Sequence, residues 1–410
     1  MQKKLLSLAI AGALAVPGAA MADVTTGGSD ISIYGLIHGS WDYVTTDQAS
    51  GVDDNDDNTG VFRGSRIGFR GSEDLGNGFK GLFQLETQME TGNNQVQLRD
   101  TFVGVEHEKW GSVLFGRHDT PYKRVTRLMD FFVDTVADYN NIIGTHLVSN
   151  DMNNDGVADT STVGVDVMKP AINFDERPPN LAMYSTPKFH GLQGMFARES
   201  LSNPEDDSDD EYSGFSGAVV YDQGPYYATL AYEQWEGQGV GGVVDGSDPA
   251  GSGHNGSTNR NRVDAWKLGL GYDFNGGNTK LRFIYEDIDH NQQNSSMSRD
   301  AVWAAFSHRI GANDFRIAYA AADDSEVSGA NNDDGAEQLS LCIDHHLGKH
   351  TKVYFLYSHM DNDEDANYGL FKGSNTELGT DSGIGGFYSH TGANGQNLDV
   401  FSVGIVYNFM

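Results

Sequence analysis

Apolar and polar residues alternate with a period of two through most of this 410-residue chain. The clearest run is DVFSVGIVYNF at the carboxyl end. Phe401, Val403, Ile405, Tyr407 and Phe409 share one face there, and Val400, Ser402, Gly404, Val406 and Asn408 share the other. Near the amino end, ISIYGLIHGSWDY behaves alike. Ile31, Ile33, Ile37, Trp41 and Tyr43 point one way, and Ser32, Tyr34, His38, Ser40 and Asp42 the other. Successive side chains of a strand lie on opposite faces, so each such segment has one apolar and one mixed face. Sixteen segments of this kind are predicted.

The connectors alternate in length. Tight turns at LGNG, EKWG, KFHG, DQGP, FNGG and LGKH are separated by long polar loops such as TTDQASGVDDNDDNTG and LSNPEDDSDDE. An up-and-down antiparallel barrel of the outer-membrane kind has short turns at one end and long loops at the other. A soluble β-sandwich is the alternative, but it rarely needs so many long strands. An even number of strands leaves the first and last antiparallel, so they can pair and close the barrel. The fold class expected is all-β, a 16-stranded antiparallel transmembrane barrel, with residues 23–410 forming one domain.

One stretch breaks the alternation. In TPYKRVTRLMDFFVDTVADYNNIIG, from Thr120 to Gly144, Val125, Leu128, Met129, Phe132, Val133 and Val136 recur at helical spacing. Thr120 and Pro121 suit an N-cap and a first helical position. Asp130, Asp134 and Asp138 then stand four apart on the opposite face, although like charges at that spacing weaken an isolated helix.

The ends and the composition add three constraints. MQKKLLSLAIAGALAVPGAAMA has a basic start, an apolar centre and an A-x-A-like site, as expected of a cleaved signal peptide over residues 1–22. The formal net charge is −31, which argues against nucleic acid as a partner, because phosphates select basic faces. Cys342 is the single cysteine, so no internal disulfide framework or cysteine-based zinc site can form. The negative mean hydropathy does not exclude a membrane protein, since a barrel strand is apolar only at every second position.

Taken together, SIYG, SRIGFRGSEDLGNGFKGLFQLE, FGRHDTPYK, ADYNNIIG and NLAMYSTPKFHG resemble the general trimeric porins of Gram-negative bacteria, in order and in spacing from Ile31 to Phe409. The resemblance implies a water-filled channel in the outer membrane, a homotrimer, and an inward-folded third loop carrying a short helix, here residues 119–178. It places Asp130, Asp134 and Asp138 on the acidic side of the pore constriction. Arg66, Arg99 and Arg177 fall on the basic side, and strand parity turns all three toward the lumen. The bland reading of the three arginines is ordinary solvated lumen charge. Arg117 has the outward parity of Val113 and Phe115; with Asp100 on the neighbouring strand it would suit a subunit interface. The chain departs from enteric members of the family at Leu36, where they carry lysine, in lacking PEFGG, in Lys123, Arg124 and Arg127 on the loop, and in Met410 after Phe409.

Further along the same loop, DMNNDGVAD sets Asp151, Asn153, Asp155 and Asp159 at the alternating positions of an EF-hand-like calcium loop. Thr162 stands where a bidentate glutamate would be, so an Asn/Asp/Gly-rich surface turn is the competing reading. No other cofactor is expected. The acidic loops DDNDD, EDDSDDE and DNDED are either solvated faces or holders of divalent cations between lipopolysaccharide head groups. His345 and His346 are adjacent on a strand and face opposite sides, which suits structure better than chelation. Three functions fit a closed barrel: passive diffusion of ions and small hydrophilic solutes, with a mild cation lean from the net charge; an outer-membrane enzyme; and a closed structural or adhesive barrel. No Ser-His-acid spacing singles out a catalytic set, so the diffusion pore is the leading expectation.

Overall fold

A computed structural model describes residues 22–26, 29–47, 56–90, 95–147, 170–175, 177–178, 180–200, 213–237, 261–291, 296–327, 330–374, 387–390 and 395–409. Sixteen antiparallel strands close into one barrel, each paired with the next along the chain. The last strand, Leu398–Phe409, pairs with the first, Ser29–Thr46, so that Phe409 stands opposite Gly35 and Leu398 opposite Thr46. A Cβ on Gly35 would lie 2.6 Å from the Phe409 ring, so the missing side chain lets the ring close the seam. The expected signal peptide lies, except for Ala22, outside the described residues; Ala22–Thr26 pairs with the start of the first strand.

The alternation seen in the sequence becomes the two faces of the wall. Phe401, Val403, Ile405 and Tyr407 are exposed on the outside, whereas Val400, Ser402 and Val406 are buried on the inside. Trp41, Val103, Phe115, Leu230, Phe355 and Ile310 extend the outer apolar belt around the barrel. A hydrocarbon surround makes this exposure favourable, and closure leaves no unpaired edge facing lipid.

The second strand is broken. Asp56–Val61 and Arg66–Gly76 both pair with the first strand, with Val61 opposite Ser40 and Arg66 opposite Leu36. Phe62 to Ser65 therefore stand opposite Ile37 to Gly39, one residue longer, which is a bulge. Ser65 repairs the ladder there: its Oγ accepts from His38 N at 3.0 Å and donates to His38 O at 3.2 Å. Arg63 turns inward from the bulge and is fully buried against Asp42 and Ser40.

Candidate functional site

The third loop follows the fifth strand, Gly111–Arg117. Its helix spans Pro121–Arg127 and starts as the sequence suggests: Thr120 accepts from Lys123 N at 3.3 Å, with Pro121 at the first position. The helix ends earlier than the apolar periodicity indicates. Leu128 to Asp138 run in turns, and Leu128 is exposed. Asp130, Asp134 and Asp138 therefore do not share a helix face. Asp130 accepts from Phe132 N at 2.7 Å and Tyr139 N at 3.1 Å. Asp138 accepts from Asp134 N at 2.9 Å and from Asn140 N at 3.1 Å, capping a short 3-10 turn over Tyr139–Asn141. Short carboxylates that bind nearby backbone N–H groups compete with the helix, and like charges four apart weaken it further.

One side of the loop is locked to the wall. Glu286 accepts from Tyr122 Oη and Gly144 N, both at 2.7 Å, and from Arg299 at 2.8 Å. Lys267 lies 3.5 Å from Glu286 and also pairs with Asp175, where the loop returns. Arg299 donates to Ile142 O at 3.0 Å, and Arg316 donates to Phe131 O. Around these ions, Met129, Phe132, Val136, Ile142 and Ile143 pack into an apolar cluster with Trp303 and small wall residues such as Ala301, Ala305, Ala318 and Ala320. Sequence reasoning missed Lys267, Glu286 and Arg299. The available signal was their parity: in WKLGLGYD, Lys267 is out of phase with Trp266, Leu268 and Leu270, which face outward.

The other side meets the second to fourth strands. Arg66 donates to Asp134 at 2.7 Å. Arg99 donates to Glu86 and to Gln88, both at 2.7 Å. Arg177 pairs with Asp100 at 2.7 Å and Asp119 at 2.9 Å, and Asp119 with Lys123 at 3.3 Å. Arg127 grips Asp138 through both terminal nitrogens, at 2.6 and 2.7 Å, and reaches Asp134 at 3.7 Å. The structure thus brings Asp134 to Arg66, whereas Asp130 and Asp138 serve the loop's own backbone and Arg127. Asp100, expected with Arg117 at a subunit interface, is bound within the chain by Arg177. Arg117 is half-buried at the end of its strand, opposite Thr101. Asp151, Asn153, Asp155 and Asp159 lie outside the described residues.

The loop carboxylates differ electrostatically. Burial alone would raise the Asp134 carboxyl, but Arg66, Arg127 and Arg99 outweigh it and hold it well below the usual range. Asp119 is held down likewise, against its burial, by Arg177, Lys123, Arg99 and Arg127. Asp130 goes the other way: burial and the charge of Asp138 push it up to about 7, despite Arg127 and two backbone donors.

Such a wall, apolar outside and charged inside, with a loop folded against its inner face, defines a membrane-spanning β-barrel of the outer membrane. The chain belongs to the Gram-negative porin family, whose sequence pattern matches residues 7–365. It is similar to outer membrane porin protein 32 of Delftia acidovorans, 26% identical over 378 residues, covering 90% of this chain and 92% of that one. It is 28% identical over 261 residues to an outer membrane porin protein of Bordetella pertussis, covering 57% of this chain and about 60% of that relative's length. An anion-selective porin from Comamonas acidovorans has the same fold, with a TM-score of 0.67 at 22% identity over 93% of this chain and all of that one.

Proposed function

We propose that the barrel is an open, trimeric diffusion channel for ions and small hydrophilic solutes, without cofactor or catalytic set. The observation that carries this reading is the meeting of opposite charges at the loop: Arg66 and Arg99 on the wall and Arg177 at the loop's return remain partly exposed, Arg66 and Arg177 pair with Asp134 and Asp119 of the loop, and Arg99 pairs with Glu86 beside them. A structural or adhesive barrel gains nothing from leaving such charges accessible to water. Opposed charges create a field across the passage that orients dipolar solutes and disfavours apolar ones.

The charge preference follows from where the charges sit. At the loop, the named carboxylates are matched by nearby arginines and lysine, so this region supplies little net sign. The mild cation lean expected from the net charge then belongs to carboxylates away from this region, and it fades as salt screens them. The Comamonas relative is described as anion-selective, which makes the sign the quantity to measure. Planar-bilayer recording of the purified protein in a salt gradient tests the reading. Stepwise conductance in threes, with a reversal potential that shrinks toward zero at high salt, is expected. A silent bilayer from folded protein would overturn the channel and favour a closed or enzymatic barrel.

A further inference from the structure

We propose that Gly64 is a socket for Asp134, and that this contact, rather than the loop helix, sets how near the third loop comes to the arginine wall. The proposal rests on the channel reading above. Three observations meet at this point. Gly64 sits in the bulge of the second strand with a left-handed φ of 64°. A Cβ there would lie 2.7 Å from both carboxylate oxygens of Asp134, closer than side chains tolerate. Arg66, two residues on, binds Gly64 O and Asp134 through the same nitrogen, at 2.8 and 2.7 Å.

The loop is shaped to match. Asp134 itself has a left-handed φ of 58°, a conformation that aspartate tolerates better than most residues. Its N–H is held by Asp138, and Asp138 by Arg127. The turn thus presents one carboxylate at its tip, and the wall presents one residue without a side chain beside one guanidinium. The extra residue in the bulge moves Gly64 out of the ladder and supplies the recess. Gly64 is then a positioning residue for pore width: it touches no solute but decides where Asp134 stops.

The test uses uncharged sugars, whose passage reports width and not charge. Gly64→Asn keeps a residue that accepts the left-handed backbone but fills the recess; Asp134→Gly keeps the loop turn but removes the plug. Each variant of the full-length protein is reconstituted in liposomes and in planar bilayers beside the wild type. Each is expected to raise the swelling rate with a disaccharide, relative to a monosaccharide, about twofold, and the two together no further, because both remove one contact. Wild-type size dependence in both variants, or additive gains, would overturn the socket. If Gly64→Asn fails to fold, the Asp134→Gly result alone decides in the same terms. A silent wild type would overturn the channel reading itself, whereas conducting protein with unchanged sieving would overturn only the socket.

Discussion

The two sides of the third loop use the same residue types under opposite conditions. Against the tenth to twelfth strands, Lys267, Glu286 and Asp175 are fully buried and Arg299 nearly so. Against the second to fourth strands, Arg66, Arg99 and Arg177 keep 15–19% of their side chains exposed. Buried ions interact strongly and are badly destabilised when one partner is lost, so the first set acts as a fastening. Ions in contact with water are screened, give little stability and stay available to passing solutes. Exposure, and not the choice of arginine or carboxylate, separates fastening from function.

The sharpest way to break this comparison is to attack the fastening. Glu286→Ala removes the carboxylate that Arg299 and Lys267 share, leaving Lys267 with Asp175, and should destabilise the loop by about 3–5 kcal/mol. The measurement is proteolysis within the third loop together with open-channel noise; a loop as resistant and a current as quiet as wild type would contradict the assignment. Thr120→Ala removes the helix cap and should cost about 1 kcal/mol in thermal unfolding.

On the wall side, the expected effects concern ions more than stability. A unit charge about 6 Å from the ion path in a water-like medium is worth roughly 0.7 kcal/mol, a factor of about 3 in permeability ratio. Arg66→Gln should shift the reversal potential toward cations and Asp134→Asn toward anions by about that factor. Because Asp134 is held well below the ordinary carboxylate range, the Asp134→Asn shift should persist at acid pH. The stability its ionisation supplies is present above the unfolded carboxylate value and is lost only as pH falls through the depressed one.

Asp130 gives the smallest and most specific effect. Its folded value near 7 exceeds the unfolded one, so the folded loop favours the protonated form. That contribution is fully present below the unfolded value and is lost as pH rises through about 7. Lowering pH through about 7 neutralises one loop carboxylate and should move selectivity slightly toward anions, a step absent in Asp130→Asn.

Much of this architecture was legible in the sequence because a period of two leaves few alternatives. The outward faces of the first and last strands, the lumen parity of Arg66 and the helix start at Thr120 and Pro121 all follow from local pattern. The end of the helix did not. Met129, Phe132 and Val136 keep helical spacing but are buried in turns, because Asp130 and Asp138 bind backbone N–H groups that a helix would have used. The loop's attachments to Glu286 and Asp100 were also out of reach. Tyr122, Gly144 and Arg177 come from distant parts of the chain, and parity gives a side but not a neighbour.

The pairing of Gly35 with Phe409 has a consequence for biogenesis. Every intermediate that lacks the last dozen residues carries two open strand edges, and neither can rest in hydrocarbon. The barrel therefore cannot be completed in the bilayer hairpin by hairpin as the chain emerges; its sealing must wait for the final strand. A chain cut short before Leu398–Phe409 would present those edges to chaperones and proteases, so this strand acts as a built-in check on the barrel's completion.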